Sequence, residues 1–140
     1  IEKGYKHRLS VKGSPEFKKG VREALRLIKT AGYYDFLRTY IEQIVEIEGF
    51  SQLHVADSAI WANKPLLVDV VDAASYLVQK AQQMRDYIEG KLYYGIGEAT
   101  AMQKRVEFLE ALKRKSRNRR VKERCEEVLK KWAESKLQFP

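Results

Sequence analysis

The chain is poor in the residues that build most small catalytic centres. A single cysteine, Cys125, excludes an internal disulfide and the multi-thiolate zinc sites. The two histidines, His7 and His54, come without any HExxH, CxxC or Walker pattern, so the common metal and P-loop sites lack their ligands. No metal and no cofactor is expected. No apolar run approaches the roughly 20 residues that span a bilayer; the stretch from Leu66 to Val71 is already broken by Asp69. Asparagine is scarce, two residues against sixteen Lys and fourteen Glu, a bias of the kind found in heat-adapted proteins.

What is present fits one folded basic module. The 140 residues are 44% hydrophobic and 33% charged, enough for one real core and too few for a second domain of ordinary size. Twenty-seven Lys and Arg face nineteen Asp and Glu, a formal charge of +8. That excess is unevenly placed. Residues 1–32 hold nine basic and three acidic side chains, residues 33–99 five and ten, and residues 100–140 thirteen and six. Two basic surfaces flanking an acidic middle follow.

The spacing predicts an all-α fold, a compact bundle of five or six helices behind a basic N-terminal extended arm. Residues 1–13 show no sustained apolar period and form the arm, with residues 14–140 the helical domain. The chain opens at Ile1, not methionine, as a fragment or a processed form does. Ser14 as N-cap, Pro15 at the first helical position and Glu16 in the first turn start a helix. Its apolar stripe is Phe17, Val21, Leu25 and Ile28, and it stops at Gly32. A second helix is expected from Tyr34 to Glu48, burying Phe36, Leu37, Tyr40, Ile41, Ile44 and Val45. Ser51 would cap a short third helix ending near Asn63. The longest element begins near Pro65 and carries Leu67, Val70, Val71, Ala74, Leu77, Val78, Ala81, Met84 and Ile88 at helical spacing up to Gly90. After a turn over residues 91–97, a fifth helix presents Ala99, Met102, Val106, Leu109 and Leu112. A sixth starts near Asn118 and buries Val121, Cys125, Val128 or Leu129, and Trp132.

The densest local feature is the run from Lys113 to Arg124, with eight basic residues in twelve and one acid. Lys113, Arg114, Lys115, Arg117, Arg119, Arg120, Lys122 and Arg124 repel one another unless an anion is near, and they suit phosphate. On the first helix Lys18, Arg22, Arg26 and Lys29 recur at helical spacing beside the apolar stripe, and Lys19 widens that face. The arm adds Lys3, Lys6, Arg8 and Lys12. The aromatic pairs Tyr33-Tyr34 and Tyr93-Tyr94 sit beside glycines, as surfaces for nucleobases to stack on, as packing at a subunit contact, or as partly buried rings capping the bundle ends.

Signals for catalysis are sparse. Gly95-Ile96-Gly97 lacks the third glycine and the preceding strand of a dinucleotide site. Asp69 and Asp72 stand three apart, and Glu89-Gly90-Lys91 has the Glu-x-Lys spacing of a metal-dependent nuclease core, but that chemistry sits on strands and this segment reads as a helix end. No enzymatic activity is expected. Cys125 falls on an apolar face as a structural thiol.

The layout of arm Lys3 to Lys12, basic first helix Lys18 to Lys29 and cluster Lys113 to Arg124 resembles the major coat (nucleocapsid) proteins of filamentous archaeal viruses. The resemblance implies subunits that wrap double-stranded DNA in helical array through sequence-independent phosphate contacts, paired with copies of themselves or a related coat subunit, in a virion. The same layout suits a small helical subunit of an RNA-guided nucleoprotein complex. A third reading, from another class, is a cytoplasmic helical adaptor domain that binds acidic protein segments in a groove rimmed by the basic clusters, with Trp132 or the tyrosines as anchors.

Overall fold

In the computed structural model, which describes residues 7–90 and 96–138, the first helix forms where the local sequence places its cap. Ser14 Oγ accepts from the Phe17 N–H at 3.2 Å, and Pro15 occupies a position whose N–H would have no intrahelical acceptor. Helix α1 runs Pro15–Ala31 and ends at Gly32, whose φ of 84° is left-handed and suits glycine. It buries Phe17, Val21, Ala24, Ile28 and Ala31.

The chain is mostly helical, but the expected all-α bundle is corrected by a small sheet. The helix expected from Tyr34 to Glu48 stops early. Helix α2 spans Tyr34–Tyr40, and Ile41 turns extended at φ −112° and ψ 123°. Strands β1 (Ser10–Lys12), β2 (Gln43–Glu46), β3 (Gln52–His54) and β4 (Ala59–Ala62) then form one sheet in the order β1-β2-β4-β3. The first three are not consecutive hairpins: β1 pairs parallel to β2 and β2 parallel to β4, while β3 is antiparallel to β4. The short helix expected from Ser51 to Asn63 is therefore strand, a single 3-10 turn at Val55–Asp57, and strand. The end of the basic arm is itself the edge strand β1. Ile41, Ile44, Val45 and Ile47 explain the outcome, because β-branched side chains lose rotamer freedom in a helix and pack well on a pleated surface.

Ile44 lies opposite both Val11 and Ile60, and this row faces the helices. Asn63 caps a second 3-10 turn, Lys64–Val68, and Asp69 caps α3, Val70–Ile88, by accepting from the Asp72 N–H at 3.2 Å. Helix α3 is the centre of the core, with Ala74, Leu77, Val78 and Ala81 sealed from solvent among α1, α2 and α4. Gly20 of α1 lets the Lys64–Val68 turn approach closely, since a Cβ there would sit 3.0 Å from Leu67 Cδ1.

Helices α4 (Ile96–Lys115) and α5 (Arg119–Gln138) complete the helical layer. The buried face of α4 is rotated from the expected one. Ala101, Phe108, Leu109 and Leu112 are buried, while Met102 and Val106 are half-buried and Ala99 is exposed. The cause is Arg105, which occupies the same stripe. Its Nη2 donates to Asp72 Oδ1 at 2.7 Å, its Nε to Ser75 Oγ at 2.8 Å and its Nη1 to Gln79 Oε1 at 2.7 Å. Its guanidinium also lies 4.8 Å from the Trp132 ring centroid. One buried cation thus ties α4 to α3 and α5.

Candidate nucleic-acid interface

The two basic segments of the sequence meet at one place. The turn between α4 and α5 folds back on the C-terminal half of α1, and Lys115 Nζ donates to the Ala31 carbonyl at 3.3 Å. The resulting open cavity, about 550 Å³, is lined by Glu23, Arg26, Leu27 and Thr30 of α1, Val70 of α3, Lys115 at the end of α4, Ser116, Arg117 and Asn118 of the turn, and Val121 of α5. The turn is fixed by its own hydrogen bonds. Ser116 is buried and accepts from the Asn118 N–H at 3.1 Å, while Asn118 Oδ1 accepts from the Val121 N–H at 3.1 Å and caps α5.

The first turn of α5 has no acidic residue and opens with Arg119 and Arg120. Cations at a helix N-terminus oppose the helix dipole, and an anion placed among them relieves that opposition. Arg26 and Arg117 flank the same opening. Arg26, Arg114, Arg117 and Arg120 are exposed and have no acidic partner among the described residues.

Other members of the basic run are already engaged. Lys113 Nζ is 3.2 Å from Glu126 Oε1, Arg119 Nε 3.1 Å from Glu123 Oε1, and Arg124 reaches both Asp69, at 2.6 Å, and Glu127, at 2.9 Å. The Arg124 guanidinium is held charged mainly by its hydrogen bond to Asp69, and its role is structural. Lys122 sits on the other side of α5, on a groove of about 890 Å³ with Val106, Glu110, Lys113, Arg114, Leu129 and Trp132.

On α1, Lys18, Lys19, Arg22, Arg26 and Lys29 are all exposed. They do not form one surface. Arg26 belongs to the cavity and Lys19 to a separate cleft with Lys64 and Leu67, while Lys29 Nζ lies 4.6 Å above the Tyr34 ring. Arg8 and Lys12 are exposed but lie outside the cavity, Lys12 on β1. Lys3 and Lys6 fall outside the described residues.

Tyr33 is packed, with edge-to-face contacts to Phe36 at 6.2 Å and Phe108 at 5.5 Å, and desolvation raises its hydroxyl pKa. Tyr93 and Tyr94 lie outside the described residues, as does Lys91. The carboxylates of the Glu-x-Lys pattern and its upstream aspartates are paired with arginines: Asp69 with Arg124, Asp72 with Arg105 and Glu89 with Arg85. Among the described residues, no three His, Cys, Asp or Glu side chains cluster as metal ligands, and no helix is long and apolar enough to cross a membrane.

Comparison with known proteins gives no match to a family model, a curated protein or a solved structure.

Sequence reasoning missed Arg105 because a charged residue breaks the apolar count that locates a buried stripe. It also missed Thr30, Ser116 and Asn118 as polar lining of the cavity. Asn118 carries a local signal, a cap residue ahead of a helix, whereas Thr30 is placed only by the long-range contact of the turn.

Proposed function

We propose that this is a non-enzymatic nucleic-acid-binding protein that grips double-stranded DNA through its phosphates, reads no base sequence, and assembles with copies of itself along the duplex. The observation that carries this reading is the junction of α1 with the α4–α5 turn, where Arg26 and Arg117 line one cavity with Glu23 as its acid, and Arg120 stands exposed in the first turn of α5. Arginine holds phosphate oxygens in a bidentate fork, and a rigid turn between two helices fixes that fork without ordering a loop on binding. Such contacts position a protein on the backbone and carry no sequence information.

A viral coat remains the biological setting proposed for this activity, in a virion. The four-stranded sheet is absent from the all-helical layout on which that resemblance stands. Competition among random-sequence duplexes of differing composition tests the reading. Equal affinities are expected, and a preference for one sequence by more than about tenfold contradicts backbone-only binding.

A second reading rests on the α4–α5 groove, which is lined by the apolar Val106, Leu129 and Trp132 and by the basic Lys113, Arg114 and Lys122, with Glu110 and Glu126 among them. That arrangement suits a helical adaptor taking an acidic amphipathic peptide, and a one-to-one complex with such a peptide in place of DNA binding favours it.

A further inference from the structure

Among the described residues, no helix packs on the outward face of the sheet. Strand alternation sends Ile44 and Ile60 toward the helices and Gln43, Val45 and Trp61 to the other side. Val45 and Trp61 are register partners, and neither they nor Ile47 packs against the core. His54 stacks on Trp61 with ring centroids 4.1 Å apart and planes 9° from parallel. Phe50, in the β2–β3 turn, is 91% exposed. Parallel strands are ordinarily covered on both faces, so a face left half-exposed at Gln43, Val45 and Trp61 on a mainly parallel sheet points to a covering partner.

Charge identifies the partner. Residues 39–63 contain no Lys or Arg in a chain that has 27, and they carry Glu42, Glu46, Glu48 and Asp57. Glu46 is held by the Ser14 N–H and Lys64, and Asp57 lies 3.0 Å from His54, but Glu42 and Glu48 are exposed and unpaired among the described residues. Lys12, opposite Val45 on the edge strand β1, is a basic side chain of this face. The helical layer carries the complementary charge. Lys18 and Arg22, one turn apart on α1, are exposed, have no acidic partner among the described residues, and do not line the cavity assigned to phosphate.

We propose that a second copy of this chain docks on the sheet face, placing its Lys18 and Arg22 against Glu42 and Glu48 with their aliphatic stems over Val45 and Trp61. Arginine suits such a site because its guanidinium stacks on indole and forks onto carboxylate. The two surfaces differ, so the contact is heterologous and adds subunits in open runs instead of closing a dimer. Glu42 and Glu48 repel a polyanion, which leaves the Arg26–Arg117 cavity of each subunit free for phosphate. This inference rests on the self-assembly part of the proposed function and is independent of its nucleic-acid part.

Sedimentation velocity of the full chain without nucleic acid tests it. Association that grows with protein concentration and weakens with salt is expected. Glu42→Lys with Glu48→Lys, and separately Lys18→Glu with Arg22→Glu, should each weaken association by at least about tenfold, with circular dichroism confirming the fold. An equimolar mixture of the two variants should associate again, since both junctions of an alternating chain are then complementary. A monomeric wild-type chain, variants that associate as wild type, or a mixture that stays monomeric overturns the proposal. Trp61 fluorescence in a Trp132→Phe background covers the other occupant: quenching by an oligonucleotide in place of self-association also overturns it. Short-duplex binding, measured in parallel, reports separately on the nucleic-acid reading.

Discussion

Arg124 of α5 places its Nη2 2.6 Å and its Nε 2.8 Å from Oδ2 of Asp69, the residue that caps α3. This pair divides the basic run by role. Arg124 joins two helices, while Arg117 on the α4–α5 turn and Arg120 in the first turn of α5 are exposed. Arg124→Ala is expected to lower stability by about 1 kcal/mol, modest because both side chains are partly exposed, and to leave DNA affinity within about twofold. Arg117→Glu with Arg120→Glu should do the reverse. Urea unfolding and duplex binding on the same samples check both.

Arg105 is the interior counterpart. Burial disfavours its charge, and Asp72 is the main group that restores it. Arg105→Met removes the donors to Asp72, Ser75 and Gln79 together and leaves Trp132 without its cation. A loss of about 2–3 kcal/mol in urea unfolding is expected, below the range for a fully buried pair because Asp72 is partly solvated. A change of less than about 0.5 kcal/mol contradicts its linking role.

The Ser14 N–H, donating at 2.8 Å, holds Glu46 below its ordinary value of 4.5, with Lys64 adding a smaller pull. The folded value is the lower one, so this contribution is present above the unfolded pKa and is lost as pH falls through the folded one. Glu46→Gln should therefore be less stable than wild type at neutral pH, and the gap should close below 4.5. A gap independent of pH contradicts the assignment.

Burial pushes the Cys125 thiol up to about 11. At pH 8 the native thiol should resist iodoacetamide and react fully once the chain is unfolded. Rapid labelling of the native protein contradicts the packed position of α5.

The helices were legible wherever the signal is local. Ser14, Pro15 and Gly32 mark α1, and Asn118 marks α5, because caps act within one turn. The sheet was not. Ile41, Ile44 and Val45 satisfy helical spacing as well as strand alternation, and what decides between them is pairing with Val11 and Ile60, a contact distant in sequence. Most of the basic candidates among the described residues are exposed, with Lys113, Lys122 and Arg124 half-buried, but sequence could not sort them. Arg124 and Lys113 are consumed by acids on neighbouring turns or helices, and only the fold brings Arg26 to Arg117.

The central claim is that Arg26, Arg117 and Arg120 take phosphate at the α1 junction. Binding of the full chain to random-sequence duplex DNA over a salt series, against the variant Arg26→Glu, Arg117→Glu, Arg120→Glu, tests it most directly. The variant should unfold at the same urea concentration, lose affinity for all sequences alike, and lower the slope of log K against log salt by about 2 to 3, close to 0.9 for each phosphate contact. An unchanged slope, or a loss confined to one sequence, contradicts the account.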